Sequence, residues 1–143
     1  MMPIPARDRP SYRRYRWLLL FNLVLIVPLG YAIRFAGNHW LNDSLGSVAY
    51  ETFWVLLLAL LWPRLALWRI ALAVCLTTCT LEVLQLWQNP LYLAAKTTFV
   101  GRLVLGSAFY WGDFPAYLIG SCIAWFWAIA LRRWSTGLVT PHA

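Results

Sequence analysis

Charge is scarce in this chain: Asp and Glu together number five, and all charged residues make up 12% of the 143 positions. A water-soluble domain of this size needs far more polar surface to cover a composition that is 62% hydrophobic. Cysteine is also sparse, and Cys75, Cys79 and Cys122 all fall inside apolar runs, so no disulfide framework can be read. Cys75 and Cys79 share a helical face, where small residues serve close helix packing more often than metal binding. The chain carries no P-loop, zinc signature, nucleophile motif or Ser-His-Asp constellation, so no metal and no cofactor is expected. Nor is there a folded nucleic-acid reader to go with the net charge of +7.

What is present is length without polarity. Four apolar runs, Trp17–Ile33, Ser44–Trp62, Ile70–Gln88 and Phe114–Leu131, each approach the roughly 20 residues that cross a bilayer core. The expected fold is therefore an all-α integral membrane protein, a four-helix transmembrane bundle. Residues 1–16 form a basic N-terminal segment, 17–131 a single membrane domain and 132–143 a short tail. Arg34-Phe35-Ala36 puts a bulky charged residue where signal cleavage wants a small one, so the first run reads as a retained helix.

Basic residues set the expected orientation. With a cytoplasmic N-terminus, Arg7, Arg9, Arg13, Arg14, Arg16, Arg64, Arg69, Arg132 and Arg133 fall inside, while only Arg34, Lys96 and Arg102 fall outside. Nine against three satisfies the positive-inside rule and places both termini in the cytoplasm. The basic flank also suits anionic lipid headgroups, so membrane lipids are expected partners and nucleic acid is not. Trp17, Trp62, Trp68 and Trp134 mark one interface, and Trp40, Trp87 and Trp111 the other.

In this frame the acids gather on one side. Asp43, Glu51, Glu82 and Asp113 occupy the outer loops or the outer half of a span. An ionisable side chain at a helix centre costs roughly 2.5–3.5 kcal/mol to insert, so it is usually paired, hydrated or functional. Glu51 and Glu82 come from different helices at matching depth, roughly 10 Å below the outer boundary at 1.5 Å per residue. Cys75, Thr78, Glu82, Gln85 and Asn89 recur at three- and four-residue steps as one polar stripe, and Ser47, Tyr50, Glu51 and Trp54 share a face of the second helix. Asn42 and Asp43 read as a turn and N-cap opening that helix, and Asn89-Pro90 as the end of the third. The connection Asn89–Asp113 is long and greasy; Thr98–Ala108 is too short to span and reads as an interfacial or re-entrant segment that brings Arg102 toward Glu82, Glu51 or Asp113.

The spread Glu82-x-x-Gln85, Gly101-Arg102 and Asp113-x-x-x-Tyr117-x-x-Gly120 resembles a small bacterial membrane family catalogued as a domain of unknown function, DUF2809. More distantly it is similar to the VanZ-like proteins, named for a member linked to teicoplanin resistance. Asn42-Asp43, Gly46, Tyr50-Glu51 and Trp54 extend the first resemblance, which covers roughly Tyr31 to Trp127. It implies a compact bundle of about four membrane helices in a bacterial inner membrane, connected with the cell envelope, and carries no settled activity with it.

Three functions follow as expectations. A lipid-linked envelope substrate would bind at the outer boundary, with Glu82, Glu51 and Asp113 as candidate acid–base groups and Arg102, Gln85, Asp43 and Tyr117 as candidate contacts. Guanidinium in particular pairs well with phosphate or carboxylate. Alternatively the chain is a non-enzymatic membrane partner or assembly factor whose polar residues only lock helices together. A third reading makes Glu51 and Glu82 a proton relay in a small transporter.

Overall fold

The computed structural model describes residues 9–35, 39–86, 89–105 and 109–137, apart from the side chains of residues 9–11, 34, 35, 39, 40, 102 and 103. Six helices make up this part of the chain: α1 Arg9–Phe35, α2 His39–Leu61, α3 Leu67–Leu84, α4 Pro90–Thr97, α5 Phe99–Leu105 and α6 Asp113–Gly137. Four of them are long and apolar enough to cross a membrane, over Tyr12–Ile33, Leu41–Leu61, Leu67–Leu84 and Asp113–Thr136. The chain is thus an all-helical, multi-pass membrane protein.

The bundle is organised around α6, which packs against α2, α3 and α1, while α2 also packs against α1 and α3. One line of buried residues along α6 explains this: Tyr117, Ser121, Ala124, Ala128, Leu131 and Ser135 recur at alternating steps of four and three, and all but Tyr117 and Leu131 are small. A stripe of this period faces neighbouring helices along its whole length. Lipid tails are as apolar as leucine, so association in a bilayer depends on close packing, which small residues permit. At Gly120 the approach of α2 is tightest: a Cβ there would lie 2.8 Å from the Glu51 Cβ and 3.0 Å from the Val48 carbonyl oxygen. The apolar core proper is assembled from Tyr15, Leu19 and Leu23 of α1, Val55, Leu56 and Ala59 of α2, Leu67, Ile70, Ala71 and Val74 of α3, and Ala124, Ala128 and Leu131 of α6.

Several boundaries differ from the sequence expectation, each for a local reason. The second helix starts at His39, so Asn42 and Asp43 lie inside it and do not cap it; the Asp43 carbonyl faces the Ser47 hydroxyl one turn on, at 3.1 Å. The third helix stops at Leu84, and Asn89-Pro90 opens the next: the Asn89 Oδ1 accepts from the Leu91 N–H at 2.9 Å with proline in the first turn. The connection after it is not an irregular loop but the helices α4 and α5, packed against each other. A Cβ at Gly101 would run into the Ala95 carbonyl, so this close pairing depends on glycine. Two tyrosine hydroxyls, from Tyr50 at 2.7 Å and Tyr92 at 3.4 Å, donate to the carbonyls of Val104 and Leu105 and so occupy acceptors at the end of α5. The helix α1 continues through Pro28.

Candidate functional site

Polar side chains converge where the C-terminal end of α3 meets the N-terminal half of α6. Thr78 and Glu82 of α3 are buried on the face toward α6, whereas Gln85 and Cys75 are half-buried at its edge. The i, i+3 spacing puts Glu82 and Gln85 on one side, and the Gln85 Nε2 donates to the Glu82 Oε2 at 2.6 Å. From α6, one turn inside its start, the Tyr117 hydroxyl donates to the same oxygen at 3.3 Å. The other oxygen, Oε1, accepts the backbone N–H of Tyr110 at 2.8 Å. Glu82 is 1% exposed and therefore takes three donors from three parts of the chain. Burial of a carboxyl group is costly without such partners, and hydrogen bonds to a charged acceptor are among the stronger ones.

Further contacts extend this network. The Lys96 ammonium of α4 donates to the Gln85 Oε1 at 3.2 Å and sits 4.9 Å from the Tyr92 ring centroid. Partial burial and the nearby Glu82 carboxyl together push the Tyr92 phenol above its ordinary range. On the α2 side, the Ser47 hydroxyl donates to the Asp113 Oδ1 at 2.7 Å. Asp113, whose backbone N–H bonds the Tyr110 carbonyl at 3.0 Å, stands in the first turn of α6, where an acid suits the helix dipole.

Deeper in the bundle Glu51 is 0% exposed. The Ser121 hydroxyl, one turn beyond Tyr117 on α6, donates to its Oε1 at 2.6 Å in preference to the Ala71 carbonyl at 3.4 Å. Its Oε2 has no hydrogen-bond partner among the described residues. Thr78 lies beside the carboxyl, but its hydroxyl hydrogen goes to carbonyls of its own helix, Val74 at 3.1 Å and Cys75 at 3.0 Å. The Trp54 Nε1 is likewise buried without a hydrogen-bond partner among the described residues.

Of the residues singled out from sequence, Glu82, Gln85 and Tyr117 meet directly, and Asp113 joins the same end of the bundle through Ser47 and Tyr110. Glu51, on α2, meets the adjoining turn of α6 through Ser121 and, with Glu82, lies within electrostatic reach of Cys79. The Asp43 side chain is exposed. Arg102 falls within α5, and its side chain lies outside the described residues. Sequence reasoning missed Ser121, Lys96 and the Tyr110 N–H as partners of this network. Ser121 could have been found as the polar small residue beside Gly120; the other two depend on how the chain returns after α3. Among the described residues there is no cluster of three or more His, Cys, Asp or Glu side chains suited to a metal ion.

An all-helical bundle with four membrane-length helices and buried carboxyl groups fixed at one end defines the class of protein. The chain belongs to the family described as protein of unknown function (DUF2809), whose family model matches residues 36–121, from just before α2 to the Ser121 that holds Glu51. The match takes in both glutamates, Lys96, Asp113 and Tyr117. No solved structure matches the chain.

Proposed function

We propose that this is a bacterial inner-membrane protein with both termini cytoplasmic, whose polar end faces outward and binds the polar head of a lipid-linked envelope substrate. The observation that carries this reading is the position of Lys96. Its ammonium is held on Gln85, which in turn is anchored on buried Glu82, so a cation is presented beside an acceptor- and donor-rich rim. A fixed cation next to tyrosine and amide groups suits an anionic head such as a phosphate or carboxylate. Arg102 would add a second cation, and the apolar outer surfaces of α4 and α5, where Leu91, Phe99 and Val100 are exposed, would lie among lipid at the interface.

Binding fits this arrangement better than catalysis. Both oxygens of Glu82 are already engaged by protein donors, so it serves first to position Gln85, Tyr110 and Tyr117. Asp113 is likewise engaged, by Ser47. The same engagement of Glu82 favours a second reading, a non-enzymatic partner or assembly factor in which the network only locks helices.

One experiment separates the two. Lipid and lipid-linked glycan profiles are compared by mass spectrometry in a deletion strain carrying wild type, Lys96→Met or Glu82→Gln at equal membrane levels. A species that changes on deletion and is restored by wild type but not by Lys96→Met supports the binding reading and names the substrate class. Full restoration by both variants makes the network structural and leaves the partner reading. Reporters fused after Lys96 and Arg133 check the frame: a cytoplasmic Lys96 or an extracytoplasmic Arg133 overturns the outward-facing site.

A further inference from the structure

Glu51 takes no part in the headgroup reading, yet it is the most completely buried acid in the described chain. Its surroundings decide where hydrogens can sit. Ser121 donates to Oε1, which leaves Oε2 to be satisfied by something else. The other hydroxyl beside the carboxyl, Thr78, has spent its only hydrogen on the carbonyls of Val74 and Cys75, so what it turns toward Glu51 is lone pairs. Two lone-pair-bearing oxygens side by side in an apolar interior need a hydrogen between them, and Thr78 does not supply it.

We infer that Glu51 is a proton-binding site in the middle of the bundle, its Oε2 carrying the hydrogen and donating it to the Thr78 Oγ1. The titratable groups within electrostatic reach of it are Tyr50 on its own helix and Cys79 on α3; Tyr31 of α1 is exposed. Glu51 has one donor where Glu82 has three, so Glu51 is the acid less equipped to hold a negative charge. Taking up or releasing the proton makes or breaks one O–H bond at Oε2, so no co-reactant is required. This inference is independent of the headgroup reading and stands if that reading fails.

Infrared spectroscopy of the purified full-length protein in lipid vesicles tests it. A neutral carboxylic acid shows a C=O stretch that a carboxylate lacks, and a hydrogen bond donated by its O–H shifts that band. The expected result is a carboxylic C=O band at neutral pH that disappears in Glu51→Gln and persists in Glu82→Gln. Thr78→Val, which removes the acceptor and keeps the carboxyl, shifts the band; this variant decides the matter should Glu51→Gln not fold. A wild-type spectrum without the band, or a band unmoved by Thr78→Val and kept in Glu51→Gln, overturns the proton site.

Discussion

Glu82 and Glu51 are both buried acids on neighbouring faces of one bundle, and they are held in opposite ways. Glu82 gathers three donors, from a backbone amide, an amide side chain and a phenol, and each comes from a different stretch of the chain. Glu51 has one donor and one oxygen without a partner among the described residues. The contrast teaches that burial alone does not assign a role to an acid inside a membrane bundle. A carboxyl whose lone pairs are taken by three separate segments is a fastening; one whose second oxygen is left over retains chemistry to perform.

The sharpest way to break the comparison is to remove the fastening. Glu82→Leu keeps the bulk of the side chain but strands the Tyr110 N–H, the Tyr117 hydroxyl and the inner amide of Gln85. Unsatisfied buried groups cost about 1–3 kcal/mol each and do not simply add, so a loss of about 3 kcal/mol is expected. Thermal unfolding in detergent micelles checks it, and the 109–112 segment should become protease-sensitive before the helices unfold. An unfolding temperature equal to wild type would show that the three bonds are not holding that segment.

Next in size is Gly120→Val, which acts on the contact between α6 and Glu51. Its Cβ would press on the Glu51 Cβ and the Val48 carbonyl, one of which is backbone and does not yield cheaply. Overpacking of this kind costs about 1–3 kcal/mol. The variant separates α2 from α6 where Ser121 meets Glu51, so it should disturb Glu51 more than Glu82. Infrared or cysteine-accessibility measurements on the two sides of α6 would reveal whether the damage is confined in that way.

Much of this arrangement was legible beforehand, and the parts that were not share a cause. The four spans follow from run length, and the pairing of Glu82 with Gln85 follows from helical period, because both are properties of one helix at a time. The meeting of α3 with Tyr117 was reachable only through the family motif, since no period relates positions 35 apart. Tyr110 contributes a backbone N–H, which every residue but proline has, so its side chain carried no signal. Lys96 looked like one more outer-loop charge until α4 turned it back onto Gln85, a geometry set by the Asn89 cap and Pro90. The cap itself was read as a stop because Asn-Pro ends one helix and starts another with the same chemistry.

Lys96→Met tests the rim of the fastened site with a smaller effect. It removes one hydrogen bond to Gln85 and a cation–π contact with Tyr92, the latter worth about 0.5–1 kcal/mol at a partly exposed position. Stability should fall by about 1 kcal/mol, while the loss of ligand binding under the headgroup reading would be much larger. Unfolding and lipid profiles measured on the same variant give that ratio.

The smallest expected change in stability comes from Glu51→Gln, and its smallness is the point. The amide oxygen can accept from Ser121 as Oε1 does now, and the amide nitrogen brings its own hydrogen to the position where the Thr78 lone pairs lie. The substitution thus reproduces the hydrogen pattern inferred for the neutral acid, and a shift within about 0.5 kcal/mol follows if that pattern is the native one. The matching Glu82→Gln change places an amide nitrogen against donors from Gln85 and Tyr117, or else against the Tyr110 N–H, and should cost about 1–2 kcal/mol. Unfolding of the pair side by side therefore reads the protonation of the two acids without any spectroscopy. Equal costs would mean that Glu51, like Glu82, is held as a charged acceptor, and the distinction between fastening and proton site would fall.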